Sequence, residues 1–268
     1  MLYESKLENV TVGADPEVFV ATTEGDISSV IGKLGGSKAH PLPVADGALQ
    51  EDNVLAEFNI RPAKNKIEFM YNMNSVMSSL RKALQNKGLQ PVVIPSHVFS
   101  KGKLESYGHQ AMEFGCSSEW NAWSRKEMPR PNGAKVNLRT AGGHVHVGYD
   151  NPCRGSAESL IKMLDFTLGV PSVLIDNDNA RRKLYGKAGS MRHKPYGVEY
   201  RTLSNFWLNS DELMSWVYDT TLWSTDNLDK LKGYLEVCNP KDVQKAINKS
   251  DQGLAWEIVS ELEMEIPL

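Results

Sequence analysis

The sequence predicts an α+β fold, in which one antiparallel sheet of about five or six strands carries helices on one face. Apolar and polar residues alternate along several short segments, so each predicted strand has one buried face and one open face. Two longer segments, residues 64–87 and 156–174, repeat their apolar residues at intervals of three and four, which is typical of amphipathic helices. The alternating segments are residues 10–21, 53–61, 136–150 and 198–208.

The length, composition and charge of the chain are typical of a soluble globular protein. The chain has 268 residues, of which 41% are hydrophobic and 24% charged, as in a soluble globular protein with a full core. We expect a single domain over residues 1–268, with its motifs in residues 10–210 and two or three helices in residues 211–268. The net charge of −3 predicts no binding to duplex nucleic acid, although it leaves room for a local basic patch.

The sequence also predicts a cytoplasmic location. The first residues, MLYESKLENVTVG, lack a basic segment followed by an apolar run, and no window approaches 18 apolar residues. The three cysteines, Cys116, Cys153 and Cys238, are far apart and form no CxxC motif. This number and spacing favour a reducing compartment over a disulfide framework or a thiolate zinc site.

The first candidate site residues lie in the segment Asp15-Pro16-Glu17. Residues two apart on a strand point to the same face, so the two carboxylates project together. They repel each other unless a cation or a proton intervenes, and Mg²⁺ takes carboxylate oxygens. The alternative is a solvated strand edge marked by Pro16.

The next segments alternate again. Residues 25–47 are rich in Gly and Pro and predict a connection with short strand pieces. In the strand that follows, Glu57 and Asn59 share the polar face, and a surface glutamate is the alternative to a ligand. Just upstream, Gln50, Glu51 and Asp52 offer further oxygen atoms, and their spacing leaves open which of them faces inward. Beyond the 64–87 helix, residues 92–99 predict a strand and residues 101–133 a long structured loop.

The segment GGHVHVG, residues 142–148, places His144 and His146 on one face of a strand. The flanking glycines let a ligand approach the backbone closely. Two such histidines could hold zinc, but zinc would need a third protein ligand. The alternative hypothesis of a metal-dependent hydrolase rests on this pair together with Asp15.

A basic stretch, residues 181–197, leads into the strand that contains Glu199 and Arg201. A flexible basic loop can fold over a polyphosphate, because arginine grips phosphate oxygens in a bidentate manner. A carboxylate beside a guanidinium on one strand face suits a metal–nucleotide site. The alternatives are a solvated loop and a simple ion pair. Neither the P-loop pattern nor the kinase glycine-rich pattern occurs.

The order of these motifs resembles that of the glutamine synthetase and glutamate–cysteine ligase superfamily. The likeness is greatest to the phage-type carboxylate–amine (COOH–NH2) ligases, or amidoligases. It is carried by GADPEVF, AEFNIRPA, GGHVHVG and YGVEYRTLSNFW, and FGCSSEWNAW at residues 114–123 also resembles a family feature. The resemblance implies an antiparallel sheet that lines a funnel-shaped active site, with helices on its outer face. ATP would enter at one end and the acid and amine at the other.

The resemblance also implies roles for individual residues. Asp15, Glu17, Glu57, His144 and Glu199 correspond to metal ligands, although Asp15 stands where the family usually has a longer glutamate. His144 corresponds to a residue that meets a metal or a nucleotide phosphate, and Arg201 to the arginine on the transferred phosphate. Arg192 and Lys194 would lie near phosphates. His146 would touch substrate or pack under the sheet. The implied catalytic residues are Arg201, Glu199 and His144.

The implied reaction is ATP-dependent formation of an amide or peptide-like bond through an acyl phosphate. It would need ATP with Mg²⁺, or Mn²⁺, and a small-molecule or peptide carboxylate and amine. The sequence does not identify these substrates, the general base or the oligomeric state. Besides the hydrolase, a second alternative is a non-catalytic nucleotide- or peptide-binding module on the same fold.

Overall fold

A computed structural model describes residues 2–3, 5–113, 118–129 and 136–267. Its largest feature is an antiparallel sheet of eleven strands, beside a separate two-stranded sheet formed by β7 and β10. The strands are β1 (Thr11–Thr22), β2 (Ile27–Ser28), β3 (Leu42–Val44), β4 (Gly47–Asp52), β5 (Leu55–Ile60), β6 (Leu89–Val92), β7 (Ser96–Val98), β8 (Glu119–Asn121), β9 (Lys126–Met128), β10 (Leu138–Thr140), β11 (Gly143–Gly148), β12 (Ser190–Lys194) and β13 (Gly197–Tyr200).

The long strand β1 lies at the centre of the large sheet. The main order is β3-β4-β5-β1-β11-β13-β12-β8-β9, and β2 and β6 pair with the far end of β1. The α+β class and the antiparallel sheet are confirmed, but the prediction of five or six strands is wrong. Several of the additional strands have only two to four residues, too few to display a recognisable alternation.

Most of the helices cover one face of this sheet or form the C-terminal end, whereas the helix at residues 101–106 packs Leu104 in a separate apolar cluster with Phe19 and Leu55. The helices are α1 (Lys66–Gln85), α2 (Lys101–Ser106), α3 (Arg154–Leu164), α4 (Val170–Ile175), α5 (Asp211–Asp226), α6 (Leu231–Val237), α7 (Pro240–Lys249) and α8 (Gln252–Glu261). A π-helical turn, Asp165–Gly169, joins α3 to α4. The end contains four α-helices rather than the two or three expected. Within the described ranges, no helix is both long and apolar enough to span a bilayer.

The sheet has one apolar face and one polar face, as the alternation predicts. Val12, Val145 and Val198 point from neighbouring strands into the main core, against which α1 and α3 pack. The residues that alternate with these apolar residues along each strand, such as Asp15 and His144, point to the opposite face. The predicted packing of the two helices on one face is therefore confirmed.

Four predicted segments differ in detail. The 92–99 strand is divided by Pro95 into parts of β6 and β7, and the 136–150 strand is divided into β10 and β11. The 198–208 strand ends at Tyr200 and continues into a 3-10 helix, Asn205–Asn209. The predicted 101–133 loop contains α2, a short 3-10 helix and the β8–β9 hairpin, while residues 114–117 and 130–133 lie outside the described part.

Asp165, in the π-helical turn, connects the helical layer to the sheet. Its carboxylate accepts hydrogen bonds from Trp123 Nε1 and Gly189 N at 2.6 Å, and from Tyr200 Oη at 2.9 Å. It also accepts one from Thr202 Oγ1 at 3.2 Å. Burial raises the pKa of Asp165 to about 7 in spite of these donors. Because Tyr200 and Thr202 flank Arg201, this carboxylate fixes the chain where β13 ends.

Replacing Asp165 with alanine is expected to lower the free energy of unfolding by about 2–4 kcal/mol, because the buried N–H donors of Trp123 and Gly189 would lose their acceptor. The measurement is chemical denaturation followed by circular dichroism. Asp229→Ala, at an exposed position in the same chain, is the control and should change stability little. An Asp165→Ala protein as stable as the wild type would contradict this account.

Candidate active site

The polar face of the sheet forms the floor of a cavity of about 580 Å³. Strands β1, β4, β5, β11 and β12 each contribute side chains to it, because residues two apart on these strands share the open face. The predicted site residues that line the cavity are Asp15, Glu17, Glu57, His144, Arg192, Lys194 and Arg201. Glu199 lies directly beneath and is fully buried.

The first acidic cluster consists of Glu17, Asp52 and Glu57. One carboxylate oxygen of each lies within 4.8 Å of the others. The strand register explains the group, because Glu17 pairs with Glu57 across β1 and β5, and Asp52 ends the adjacent strand β4. Glu17 accepts a hydrogen bond from the Gly142 N–H at 2.7 Å.

Charge repulsion within the first acidic cluster is not balanced by its surroundings. Burial and the nearby Asp52 raise the pKa of Glu17 to about 7. Burial, followed by Asp15, Asp52 and Glu17, raises the pKa of Glu57 well above its usual range. A site that favours protons this strongly is also suited to a divalent cation, which can take their place.

The second cluster consists of Asp15, His146 and Glu199, whose potential ligand atoms also lie within 4.8 Å of one another. His146 pairs with Glu199 across β11 and β13, and Asp15 lies on the neighbouring strand β1. Asp15 Oδ1 is 2.9 Å from His146 Nε2 and 3.4 Å from His144 Nδ1. Burial would raise the pKa of Asp15, but His146 and His144 hold it well below its usual range.

Glu199 is surrounded by cationic side chains. Arg201 Nη1 forms a close ion pair with its Oε1, Lys194 Nζ lies 2.8 Å from Oε2, and Arg192 Nη1 lies 3.3 Å from it. Burial and the nearby Asp15 oppose the charge of Glu199, but Arg201, followed by His144 and His146, lowers its pKa to about 2. The carboxylate is therefore ionised and gathers three cations at one wall of the cavity.

Arg201 is held from its other side by Glu119, a residue that sequence reasoning missed. Arg201 Nε donates to Glu119 Oε1 at 2.6 Å, and Nη1 lies 3.3 Å from His144 Nδ1. Burial and the charge of Arg201 lower the pKa of His144 to about 4, so its imidazole is neutral near pH 7. Glu119 lies in the family-like FGCSSEWNAW segment, which could have identified it. Residues 114–117 of that segment lie outside the described residues.

The first two glycines of GGHVHVG, Gly142 and Gly143, are each required for a different steric reason. A side chain at Gly142 would collide with the imidazole of His144, and one at Gly143 would collide with the Ser204 carbonyl and the Trp207 indole. Trp207 Nε1 donates to the Gly143 carbonyl at 3.1 Å. Gly143 therefore allows the turn that follows β13 to pack against the start of β11, whereas Gly142 leaves room for the His144 ring.

The structure shows which of the residues Gln50, Glu51 and Asp52 face the cavity. Gln50 and Asp52 line the cavity. Glu51 points away and accepts hydrogen bonds from the backbone N–H groups of residues 32–35 at 2.9–3.0 Å. Glu51 thus anchors the loop from which Lys38 reaches the cavity. His146 also lines the cavity and does not pack under the sheet.

The prediction of a flexible basic loop at residues 181–197 is wrong, because its first two arginines are buried and residues 190–194 form β12. Arg181 and Arg182 are each only 3% exposed, and Arg181 donates to the carbonyls of Thr202 and Arg201 at 2.9 and 3.2 Å. Arginine has five N–H donors and can bond to several carbonyls at once, which allows it to be buried. The number of charges in the sequence gives no indication of this burial. Arg181 lines a smaller cavity of about 50 Å³, which Glu17, His144 and Arg201 also line.

A family described as phage phiEco32-like COOH-NH2 ligase-type 2 matches residues 130–267, just over half of the chain. The comparison with curated proteins gave no match. Among solved structures, the apo form of GmaS without ligand is similar, with 11% identity and a TM-score of 0.41. That alignment covers 95% of this chain and 68% of the GmaS chain, and such a distant likeness supports no functional argument.

Proposed function

Because the chain belongs to the phage phiEco32-like COOH–NH2 ligase type 2 family, we propose that it joins a carboxylate to an amine in an ATP-dependent reaction that passes through an acyl phosphate. The resemblance to the phage-type carboxylate–amine ligases is confirmed by this match, which also includes the helical end beyond residue 210. One observation supports the ATP-dependent reaction in particular: two clusters of potential metal ligands and a group of three cations lie around one cavity.

The two clusters fit divalent cations by the chemistry of their donors. In the first acidic cluster, Glu17, Asp52 and Glu57 offer three carboxylates that repel one another. In the second cluster, Asp15 Oδ1 and His146 Nε2 are buried, face each other at 2.9 Å and form no hydrogen bond with proper geometry. We assign the first cluster and the pair Asp15 and Glu199 as holders of Mg²⁺ or Mn²⁺. A bound cation would supply positive charge to the phosphate oxygens of ATP.

The cationic wall suits the phosphates of a nucleotide. Arg192 Nε and Nη2 are buried without a hydrogen-bond partner, so both remain available to an incoming oxygen atom. Arg201 is fixed by Glu119 and Glu199, which keeps its guanidinium in one orientation before the substrate arrives. A preorganised cation of this kind stabilises charge on the transferring phosphoryl group. We assign Arg192, Lys194 and Arg201 to phosphate binding.

The proposed reaction has two steps. An oxygen of the substrate carboxylate attacks the γ-phosphorus, the bond to the β-phosphate oxygen breaks, and ADP leaves. The amine nitrogen then attacks the acyl carbon, the bond to the phosphate-bearing oxygen breaks, and inorganic phosphate leaves with that oxygen. The amine gives up its proton to a base near the acceptor. The catalytic role of Arg201 is to hold positive charge at the γ-phosphate, and Glu199 and His144, which contact its guanidinium, orient it.

The metal is expected to be Mg²⁺ or Mn²⁺ and not Zn²⁺, because five of the six residues in the two clusters offer oxygen ligands. Elemental analysis of the purified protein and assays after chelator treatment check this. Mg²⁺ should restore ADP formation to the treated protein. Stoichiometric zinc that survives dialysis and supports activity would contradict the assignment and favour the hydrolase hypothesis.

Binding of Mg²⁺ is expected to release protons, and its affinity should rise between pH 6 and pH 8. The reason is that the metal must displace the proton that Glu17, with its pKa of about 7, holds at lower pH. Calorimetric titrations in two buffers with different ionisation enthalpies measure the proton count. An Mg²⁺ affinity that does not change across this range would contradict the role of the first acidic cluster.

ADP release, screened against a panel of carboxylic acids and amines, tests the proposed function, with mass spectrometry of the product. A pair of substrates that yields ADP and an amide supports the ligase. Product formation without ATP would favour the hydrolase. ATP binding without ADP release for every pair would favour the binding module.

A further inference from the structure

Arg181 is a buried arginine that forms no ion pair with any residue in the described part of the chain. It donates to the backbone carbonyls of Thr202 and Arg201, which uses two of its five N–H donors, and its Nε is buried without a hydrogen-bond partner. Burial lowers the pKa of Arg181 to about 10, and the charges of Glu17 and Glu119 offset this loss only in part. Because a buried cation is costly without an anion beside it, Arg181 is suited to bind an anionic ligand.

The cavity of about 50 Å³ beside Arg181, here called the small cavity, is lined by two further arginines, Arg139 and Arg201. Arg139 donates from all three of its side-chain nitrogens to backbone carbonyls. Arg201 is paired with two glutamates. Of these three arginines, Arg181 therefore has the most donors left for a ligand.

The small cavity adjoins the main cavity, because Glu17, Asp52, His144 and Arg201 line both. Glu17 belongs to the first acidic cluster, and Arg201 is assigned to the transferring phosphoryl group. An anion held by Arg181 would therefore lie next to the position of the γ-phosphate, where the attacking carboxylate must be. A cationic amine would be repelled by the guanidinium, so the acid is the substrate that fits this position.

The size of the small cavity limits the shape of this acid. A volume of about 50 Å³ holds roughly four water-sized spheres, which is comparable to the four non-hydrogen atoms of an acetate group. The apolar residues Val54 and Leu55 line the same cavity and can contact a methylene group. A quaternary carbon next to the carboxylate, as in trimethylacetate, exceeds this space.

We propose that Arg181 is a specificity-determining residue that binds the carboxylate of the acid substrate in the small cavity, which accepts a carboxylate carried by an unbranched CH₂ group and rejects one carried by a fully branched carbon. The assignment rests on the proposed function, which requires an acid. It goes further by naming the class of the acid and the residue that recognises it.

Nuclear magnetic resonance of the full-length protein, labelled with ¹⁵N and ¹³C and loaded with Mg²⁺ and ADP, provides the test, with acetate as the probe. The Nε–H signal of Arg181, assigned through its bonds in the wild type, should shift and saturate as acetate is added. Sodium chloride at the same ionic strength, and trimethylacetate, should leave it unchanged. The Nε–H signal of Arg182 is the internal control, because Arg182 is equally buried and lines neither cavity.

Kinetics with the acid found by screening give a second readout. Arg181→Lys keeps the charge but loses the fork, so the KM for the acid should rise by about tenfold, as expected for the loss of a hydrogen bond to a charged group. The KM for ATP should not change. Arg182→Lys is the matched control and should leave both KM values unchanged, and thermal melts check that each variant is folded.

The titration separates this assignment from the proposed function, because it needs no turnover. An Arg181 signal that does not respond to acetate would overturn the assignment alone, and so would an equal response to chloride, which would indicate an adventitious ion only. An equal response to trimethylacetate would overturn the proposed selectivity. Absence of ADP release for every acid and amine would overturn the proposed function, and with it the assignment of the bound carboxylate as substrate, even if acetate binds.

Discussion

Replacing Glu17 with glutamine is expected to abolish ADP formation while leaving the protein folded. ATP carries about four negative charges and must lie beside a second, negatively charged carboxylate substrate, which bound cations make tolerable. Glutamine keeps the shape of Glu17 but removes its charge, and a hard cation binds an amide oxygen much more weakly than a carboxylate. The measurement is a coupled ADP assay with the acid–amine pair found by screening.

Two measurements make the Glu17→Gln result interpretable. Mg²⁺ titration should show weaker binding, and the melting temperature should stay near or above that of the wild type, because the repulsion within the first acidic cluster is reduced. Glu236→Gln makes the same change of charge at an exposed site on α6 and should leave turnover unchanged. Near-normal turnover by Glu17→Gln would show that the proposed metal role is wrong.

Replacing Arg201 with lysine is expected to reduce turnover about a hundredfold, which corresponds to the loss of one preorganised transition-state donor, ~3 kcal/mol. Arg201 now bonds Glu119 through Nε and Glu199 through Nη1, with His144 near the same Nη1. A lysine keeps the charge but has a single nitrogen, which cannot replace this fork. Steady-state kinetics should show the loss mainly in kcat, and Mg²⁺ binding should persist.

The control for Arg201→Lys is Arg125→Lys. Arg125 pairs with the buried Glu158 at 2.7 Å and does not line the cavity. Its substitution therefore changes an arginine–glutamate pair that lies away from the proposed phosphate site. It should change stability more than turnover. If Arg201→Lys keeps normal turnover, as the control should, the role of Arg201 should be abandoned, and the binding module becomes the better hypothesis.

The sequence was sufficient to predict the face of the sheet that carries the site. Alternation along a strand places Asp15 and Glu17 together, and the same rule places His144 with His146, because side-chain direction follows from the backbone alone. The amphipathic repeat of residues 64–87 likewise predicted α1 and its packing. These features depend on local spacing, which a single sequence contains.

Contacts between distant segments were not predictable in the same way. Asp52 joins Glu17 and Glu57 only because β4 pairs with β5 in one register, and a shift by one residue would have presented Glu51 instead. Glu119 reaches Arg201 across 82 residues of sequence, and Arg181 is buried by carbonyls that no charge pattern identifies. Such contacts follow from tertiary packing, and the sequence contains no period that indicates them.

The fate of the carboxylate oxygen tests the central claim most directly. The acid identified by screening is labelled with ¹⁸O in its carboxylate, and the phosphate released from ATP is examined by mass spectrometry. An acyl phosphate requires that one labelled oxygen appear in each phosphate, because the acid oxygen attacks phosphorus and stays with it when the amine displaces it. Amide formation accompanied by unlabelled phosphate would contradict the account.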